Sequence, residues 1–441
     1  MVAGYGPLPA DQVDADGVVK YLRADPGGES WKDEKAIIPV PALEGPYGTK
    51  DVRCTFDGKG KMGAQSEGAL HVKSQGANYV DLLATWQIKN ELIGSGSVHI
   101  AETSPADPVR NIDCREKDMD KSLLWSPQYT ESLKGFGVIR FLDWSSGNSI
   151  EGGKWERFNP VSHQFSGSIE GIRPQDMIAL ANTMDADPWI PLAYNGDENY
   201  HRQYATLVRD TLKPGRRVYV ELGNEVWNYM FPVTSQVRDE GVAAKLDPNP
   251  YLAALFRYSQ KSAWAMKIWS EVFAGQMHRL VRVVNVQAGW WSAEQVLTFQ
   301  DTHKVIDAVA IAPYFTLETP GMTLDQVYAE MDSASDKAIE NAVLAKKMAT
   351  TFNKRLIAYE AGQHVVTNDL IFARQIQRDP RMEGIYKKYI DAWKAKVGDV
   401  MVMYSHIGPI SQYGSWGLRE YAGQPASEAP KWRAVQGYLT K

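Results

Sequence analysis

The first 105 residues and the rest of the chain differ in their pattern of apolar and polar positions. Short segments with apolar and polar residues in alternation recur in residues 1–105, and Gly, Asp, Asn and Ser separate them; they are Val18–Leu22, Asp51–Phe56, Leu70–Lys73, Tyr79–Trp86 and Ser97–Ala101. A period of two over such short segments is typical of antiparallel strands. We therefore predict a β-rich accessory domain over residues 1–105, a β-sandwich. We expect it to pack on the following domain, because no Gly/Ser-rich or Pro-rich linker separates the two.

From residue 106 onward, apolar segments alternate with helix-length amphipathic segments, which is typical of parallel strands joined by crossover helices. The clear strands are Gly137–Trp144, Pro188–Tyr194, Arg217–Leu222, Leu280–Gln287, Val305–Ala312, Arg355–Tyr359 and Val400–Ser405. The clearest helices between and after them are Arg173–Ala186, His201–Leu212, Tyr251–Glu271, Leu324–Ala349, Met382–Lys396 and Pro430–Leu439. An eighth strand is needed to close a barrel, and we assign it to Val109–Cys114. The pattern thus predicts an α/β fold, a (β/α)8 TIM barrel over residues 106–441.

Polar residues that follow the predicted strands are the candidates for chemistry, because the active site of such a barrel lies at the C-terminal ends of its strands. Asn224 and Glu225 follow the fourth strand, Glu360 follows the seventh, Arg140 lies on the second and Tyr314 follows the sixth. Two carboxyl groups across a cleft are the basic equipment of glycoside hydrolysis. Glu225 would donate the proton and Glu360 would attack. Arg140 and Tyr314 would keep Glu360 ionised, and Asn224 would bind the substrate 2-hydroxyl.

Aromatic and histidine side chains in the same loops are candidates for sugar binding. The chain has 14 Trp and 21 Tyr, and flat aromatic faces suit the apolar faces of sugars. The substrate-binding candidates are Trp144, Trp290, Trp291, Trp416, His364 and His406. Each candidate has a plainer interpretation: a core tryptophan, a solvated loop histidine, a packing tyrosine at Tyr314, a turn residue at Asn224, a solvated loop carboxylate, or an ion pair of Arg140 with Glu221.

Together these residues resemble the large clan A of retaining glycoside hydrolases. In that clan an Asn-Glu pair ends strand four and a Glu ends strand seven, with an Arg on strand two, a Tyr after strand six and often a Trp after strand eight. The matching residues are Asn224, Glu225, Glu360, Arg140, Tyr314 and Trp416. The resemblance implies a hydrolase that cleaves a β-linked poly- or oligosaccharide with retention, internally rather than terminally. Val226 stands where the commoner form has Pro, so the resemblance does not specify the family or the sugar.

Two other functions compete with hydrolysis. A catalytically silent carbohydrate-binding protein on the same barrel would keep the aromatic cleft but would not need both Glu225 and Glu360. A transglycosylase would share every residue. The formal net charge of −5 disfavours nucleic acid as a partner. We expect a carbohydrate substrate and leave the oligomeric state open.

We expect no cofactor and no metal. The two cysteines, Cys54 and Cys114, are too few for a four-cysteine zinc site, and they form either a disulfide or two buried thiols. The match to G-x-G-x-x-G at Gly58–Gly63 lies in the β-rich region and is interpreted as a turn. The chain has no uninterrupted apolar run long enough to span a membrane. Residues 1–10 lack a signal-peptide pattern, but a secreted or cell-envelope location is expected for a polysaccharide hydrolase.

Overall fold

The computed structural model describes residues 96–158, 169–289 and 291–439, and before them the ranges 48–66 and 70–86 together with residues 2–3, 6–9, 11–14, 18–24, 26, 28 and 34–40. By their contacts the residues form two compact units. The first unit extends to Tyr129 and the second begins at Thr130.

The first unit contains two antiparallel sheets. Its strands are β1 (Val2–Ala3), β2 (Gly6–Pro7), β3 (Ala36–Val40), β4 (Gly48–Asp57), β5 (Gly60–Ser66), β6 (Leu70–Gly76), β7 (Tyr79–Trp86), β8 (Gly96–Thr103) and β9 (Arg110–Glu116). One sheet has the order β2-β1-β3-β8-β5 and the other the order β6-β7-β4-β9. Met62 and Ile100 of the first sheet pack in one apolar core with Phe56 and Leu82 of the second. The predicted strands Asp51–Phe56, Leu70–Lys73, Tyr79–Trp86 and Ser97–Ala101 lie in β4, β6, β7 and β8. The prediction for Val18–Leu22 is wrong, because this segment makes only an isolated bridge between Val19 and Val13. Both sheets contribute to a shared core.

The assignment of Val109–Cys114 to the barrel is wrong. This segment lies in β9, which pairs antiparallel with β4, with Cys54 directly opposite Cys114. The two cysteines form a disulfide, so the disulfide alternative is correct. The residues of β9 are only partly buried, whereas a barrel strand is buried on both faces and apolar throughout. Because β9 belongs to the first sheets, the first unit ends later than the boundary expected at residue 105.

The second unit alternates strands and helices. Its strands are β10 (Val138–Arg140), β11 (Asp187–Leu192), β12 (Val218–Leu222), β13 (Leu280–Asn285), β14 (Ala308–Ile311), β15 (Phe315–Glu318), β16 (Arg355–Ala358) and β17 (Gln363–Val366). Its helices are α1 (Pro127–Leu133, which begins in the first unit), α2 (Pro174–Met184), α3 (Glu198–Thr211), α4 (Pro232–Ala243), α5 (Pro250–Val272), α6 (Trp291–Thr298), α7 (Leu324–Thr351), α8 (Leu370–Arg378), α9 (Arg381–Lys396) and α10 (Pro430–Gln436).

Helix starts in this unit follow from local sequence. Pro occupies the first turn of α2, α4, α5 and α10, where its missing N–H has no intrahelical partner to lose. Thr323 begins α7 with a capping box: its side-chain oxygen accepts from the Gln326 N–H at 3.3 Å, and the Gln326 side chain accepts from the Thr323 N–H at 2.9 Å. These caps satisfy backbone N–H groups that would otherwise be unpaired.

The parallel sheet of the second unit is curled around a single core. Its order is β10-β11-β12-β13-β14-β16, and Ala358 makes a further parallel bridge to Met401. Side chains at alternate positions, such as Trp189, Tyr219 and Val283, pack in one cluster. Val138 of the first strand and Val402 beyond the last pack against the same cluster. All these strands therefore present their C-terminal ends at one rim.

Two short strands, β15 and β17, follow the C-terminal ends of β14 and β16. β15 and β17 pair in parallel with Phe315 opposite Gln363, so the segments after β14 and β16 run side by side above the sheet. Among the described residues, no helix is both long and apolar enough to cross a membrane. Within the same part of the chain, no group of three or more His, Cys, Asp or Glu is placed to hold a metal ion.

Candidate active site

Arg140 lies at the centre of the candidate site. It is the last residue of β10, and only 3% of its side chain is exposed. Its Nε donates to Glu221 Oε1 at 2.7 Å, its Nη1 to Glu360 Oε1 at 2.7 Å and its Nη2 to Asn224 Oδ1 at 2.6 Å. The guanidinium also lies over the ring of Tyr359, 4.9 Å from its centroid. The ion pair with Glu221 and the contact with Glu360 are thus both present, and the two interpretations of Arg140 do not exclude each other.

Glu360 stands two residues beyond β16 and is buried. Besides Arg140, the Tyr314 hydroxyl donates to its Oε2 at 2.8 Å. Burial raises the pKa of Glu360 to about 7, the positive charge of Arg140 and the Tyr314 hydrogen bond oppose that rise, and the negative charge of Glu225 adds to it. Both carboxylate oxygens therefore have donors, and the charge of Glu360 depends on a balance between burial and Arg140.

Glu225 stands three residues beyond β12 in a tight turn. Its φ is +40° and that of Gly223 is +66°, values that Gly adopts readily and glutamate rarely does. The turn is fixed by the Asn228 N–H, which donates to the Glu225 carbonyl at 2.7 Å. The Tyr359 hydroxyl lies 3.0 Å from Glu225 Oε1, and Asn228 Nδ2 donates to Oε2 at 2.8 Å. The side chain is therefore held at both oxygens.

The two glutamates interact electrostatically at the same rim. Tyr359 connects them: its hydroxyl donates to Glu225 Oε1 at 3.0 Å, and its ring lies against the Arg140 guanidinium, which donates to Glu360. The negative charge of Glu225 adds to the rise in the pKa of Glu360. Two buried carboxyl groups whose charges repel favour one proton shared between them over two charges. The arrangement can thus hold one carboxylate and one carboxylic acid at the same time.

A layer beneath the glutamates orients them. Glu221 is fully buried, and its Oε2 accepts from Asn285 Nδ2 at 3.1 Å. Burial raises the pKa of Glu221, while Arg140 and Asn285 oppose the rise. Asn224 Nδ2 donates to Asn148 Oδ1 at 3.0 Å. The side-chain amide of Asn224 is therefore held at its oxygen by Arg140 and at its nitrogen by Asn148.

Several contributors were not singled out in the sequence. Tyr359 and Asn228 contact Glu225, and Asn285 contacts Glu221. The Tyr404 N–H donates to the carbonyl of Ala361, the residue after Glu360, at 3.0 Å, and burial raises the pKa of Tyr404 to about 12.

Three of the aromatic and histidine residues predicted at the site form a group next to Glu360; they are Trp416, His364 and Tyr314. The Trp416 ring lies 5.3 Å from the His364 ring and 5.7 Å from the Tyr404 ring. His364 in turn lies 6.2 Å from the ring of Tyr314, which binds Glu360. Trp416 and His364 are therefore connected to the surroundings of Glu360 through Tyr314 and Tyr404.

The other predicted binding residues have different neighbours. Trp144 packs on Phe141 at 5.4 Å between ring centroids. His406 faces the Ser132 carbonyl oxygen at 3.3 Å, and burial lowers its pKa to about 4. Trp291 is 41% exposed and lies 5.2 Å from the Tyr251 ring. These contacts are with aromatic rings and a backbone carbonyl oxygen rather than with a glutamate. Trp290 lies outside the described residues.

No protein-family model matches this sequence, and none of the curated proteins compared with it is a match. Solved structures do match, and the three that follow are glycoside hydrolases by name. An α-L-arabinofuranosidase from Thermotoga maritima is 13% identical, with a TM-score of 0.40 over 68% of this chain and 61% of that one. A 4-O-α-L-rhamnosyl-β-D-glucuronidase from Fusarium oxysporum is 12% identical, with a TM-score of 0.45 over 70% and 63%. An endo-1,4-β-D-mannanase from Thermotoga petrophila is 11% identical, with a TM-score of 0.39 over 72% and 96%. The match thus spans about three fifths of the arabinofuranosidase and glucuronidase chains.

Proposed function

We propose that the protein is a retaining β-glycoside hydrolase in which Glu360 is the nucleophile and Glu225 the acid/base. The observation that carries the proposal is the difference between the partners of the two carboxyl groups. Glu360 faces the guanidinium of Arg140, which has donors only and therefore fits a carboxylate. Glu225 faces the hydroxyl of Tyr359, which donates to a carboxylate or accepts from a carboxylic acid. Glu225 can therefore change its protonation state without losing this partner, as an acid/base must.

The reaction takes two steps. Glu360 attacks the anomeric carbon while Glu225 transfers its proton to the leaving oxygen, so that the glycosidic bond breaks and a glycosyl ester forms on Glu360. Water then attacks the same carbon as Glu225 takes up one of its protons. This step releases the sugar and restores both residues. The net result is hydrolysis with retained configuration.

Neighbouring side chains have supporting roles in this proposal. Arg140 stabilises the Glu360 carboxylate, and the Tyr314 hydroxyl donates to it until the ester forms. Asn224 binds the 2-hydroxyl group of the sugar. Trp416 and His364 offer ring faces for a sugar unit, since they lie together beside Tyr314. We assign sugar contacts farther along the cleft to Trp144, Trp290, Trp291 and His406.

The proposal also covers the barrel, the sheets of the first unit, the mode of cleavage and the location of the protein. We propose that the curled sheet belongs to a (β/α)8 barrel, of which its six strands and the parallel segment at Met401 account for seven. The two sheets of the first unit would form a sandwich around their shared core. We propose cleavage within β-linked chains, and a secreted or cell-envelope location. A disulfide supports that location, because such bonds persist in oxidising compartments.

Two variants test the roles of the glutamates. Glu360→Gln removes the attacking group, so turnover of every β-glycoside should collapse. Glu225→Ala should keep the first step on aryl glycosides with good leaving groups, because little protonation is needed, but should slow the second step. Added azide should then restore turnover of Glu225→Ala and give a β-glycosyl azide. Glu330→Gln, at an exposed position on α7, is the matched control and should behave as the unmodified enzyme.

The same experiments separate the alternatives. Rescue of the Glu360 variant with a β-glycosyl azide, the product expected of an acid/base variant, would reverse the two roles. Retention predicts carboxyl groups about 5–5.5 Å apart, and inversion about 6.5–9.5 Å, so an inverted first product in NMR would end the retaining mechanism. A folded protein that binds β-glucans, mannans, xylans or galactans without cleaving any of them would be the silent binding protein. Transfer to acceptor sugars in excess of hydrolysis would identify a transglycosylase.

A further inference from the structure

A groove on the second unit, away from the glutamates, has the chemistry of a second binding site. It has a volume of about 620 Å³ and runs along α5. Its walls include Arg257, Gln260, Lys261, Trp264, Lys267 and Thr302. The α5 residues from Arg257 to Lys267 span about 15 Å at the helical rise of about 1.5 Å per residue, so the groove is long rather than round.

The groove is positively charged although the chain is acidic overall. Lys261 and Lys267 have no carboxylate within ion-pair distance among the residues described. Arg257 is the exception, because its Nε donates to Glu240 at 2.8 Å. Burial lowers the pKa of Lys261, and its Nζ lies 3.7 Å from the centroid of the Tyr194 ring. The groove thus has an excess of positive charge in a protein of formal net charge −5.

An aromatic face lies between these charges. Trp264 is 38% exposed, although it is among the largest apolar side chains. His201 supports it from the inside, with the two rings nearly perpendicular and 5.1 Å between their centroids. Burial lowers the pKa of His201 to about 3, so this support is uncharged near neutral pH. The Trp264 ring is therefore held in place while it stays accessible to solvent.

Neutral hydrogen-bonding groups complete the wall. Gln260 Nε2 lies 3.4 Å from Gln300 Oε1, which joins α5 to the segment after α6, and Thr302 lines the same groove. A flat aromatic surface, side-chain amides and ammonium groups suit a ligand with apolar faces, hydroxyl groups and carboxylates. Sugar acids have all three.

We propose that this groove binds an acidic, uronate-containing oligosaccharide, with one sugar on Trp264 and carboxylates at Lys261 and Lys267. The site is separate from the glutamates and does not rest on their being catalytic. Binding would retain the enzyme on an acidic polysaccharide.

Titration calorimetry with a defined galacturonate hexamer tests the proposal on the full chain, with cellohexaose as the neutral comparison. Trp264→Ala and Lys267→Glu should each weaken binding of the acidic hexamer at least tenfold. Lys347→Glu is the matched control, since Lys347 is also exposed and has no ion pair among the residues described; it should leave binding unchanged. A Glu360→Gln background should also leave binding unchanged, which separates this site from the proposed catalytic one.

Three results would overturn the proposal. One is affinity that the two groove variants do not change. Another is equal loss in the Lys347 control, which would show a response to net charge alone. The third is tight binding of inorganic pyrophosphate that Trp264→Ala leaves intact, which would make the groove a simple anion site. Thermal unfolding of each variant confirms that it is folded, and Trp264→Phe, which keeps an aromatic face, should recover most of the affinity.

Discussion

Tyr359 is the residue that ties the two glutamates together. Its hydroxyl contacts Glu225, and its ring lies under the guanidinium that holds Glu360. Tyr359 also belongs to the buried cluster inside the parallel sheet, where a tyrosine is typical of core packing. Its hydroxyl gives it a second role that only the geometry shows.

Tyr359→Phe removes this hydroxyl with almost no change in volume. A hydrogen bond to a charged group contributes about 1.5–3 kcal/mol, so we expect kcat/KM to fall roughly 10- to 100-fold at about 1.4 kcal/mol per tenfold. The loss should grow with the pKa of the leaving group, because proton donation suffers most. Tyr328→Phe is the control. Tyr328 lies on α7, and its hydroxyl donates to the Ile376 carbonyl at 2.6 Å, so this variant should change the stability of the protein but not the dependence of kcat/KM on the leaving group. Equal loss for good and poor leaving groups would assign Tyr359 a purely structural role.

The pH profile should report the pKa of Glu360. The nucleophile must be ionised, so kcat/KM should fall as pH drops below about 7, the value to which burial raises its pKa. The decline should approach tenfold per pH unit for a single group. Arg140→Gln should move this limb to higher pH, because the charge that favours the carboxylate is gone. The measurement uses an aryl glycoside that needs no acid catalysis, and a limb near the ordinary glutamate value would contradict the buried position of Glu360.

At this scale the sequence predicted the groups that carry charge and missed those that orient them. Glu225, Glu360, Asn224, Arg140 and Tyr314 follow strand ends, and hydrogen bonds connect each of them to the cluster. The orienting residues depend on strand register and on turn geometry. The chain gives no period that distinguishes inward from outward in strands buried on both faces.

At the scale of elements, the pattern of apolar and polar residues distinguished the antiparallel sheets from the parallel sheet, but one strand was assigned to the wrong sheet. Seven of the eight strands assigned to the barrel lie in the curled sheet or its extension at Met401. β9 was misassigned because the count required an eighth strand, while its residues are polar and half-exposed. β15 and β17 were missed because four residues carry too little pattern.

The disulfide between β4 and β9 should stabilise the first unit strongly. It joins residues separated by 60 positions, and a loop of that length corresponds to about 4 kcal/mol in chain entropy. The double variant Cys54→Ala, Cys114→Ala should therefore unfold at lower denaturant, with little change in the unfolding of the second unit. Reduction of the unmodified protein should reproduce the effect. Two free thiols in the unfolded, unreduced protein would contradict the bond.

For the whole molecule, the last segment of the first unit bears on how the chain responds to proteases. Residues 117–126 contain no Gly or Pro. The Lys117 N–H donates to the Asp51 carbonyl at 2.9 Å, and Arg115 Nη1 donates to the carbonyls of Asp120 and Leu123 at 2.8 and 3.1 Å. This segment is thus attached to the first unit rather than free. The boundary predicted at residue 105 is earlier than the end of the first unit at Tyr129, because β9 was placed in the barrel.

Limited trypsin digestion should accordingly leave the bonds after Lys117 and Lys121 uncut while surface loops are cut. The expectation follows from the backbone hydrogen bonds, which must open before a protease can bind the segment. Mass spectrometry of early fragments measures it. Early release of a stable fragment that begins near residue 122 would show that these hydrogen bonds do not protect the segment.

The arrangement around Arg140 also fixes the electrical balance of the site. One guanidinium serves two buried carboxylates, Glu221 and Glu360, so these three groups together lack one positive charge. The oxocarbenium-like transition state of glycoside cleavage carries that charge. An imino sugar, protonated at its ring nitrogen, should fill the same deficit and bind more tightly than a neutral sugar of the same shape, with its advantage greatest where Glu360 is ionised.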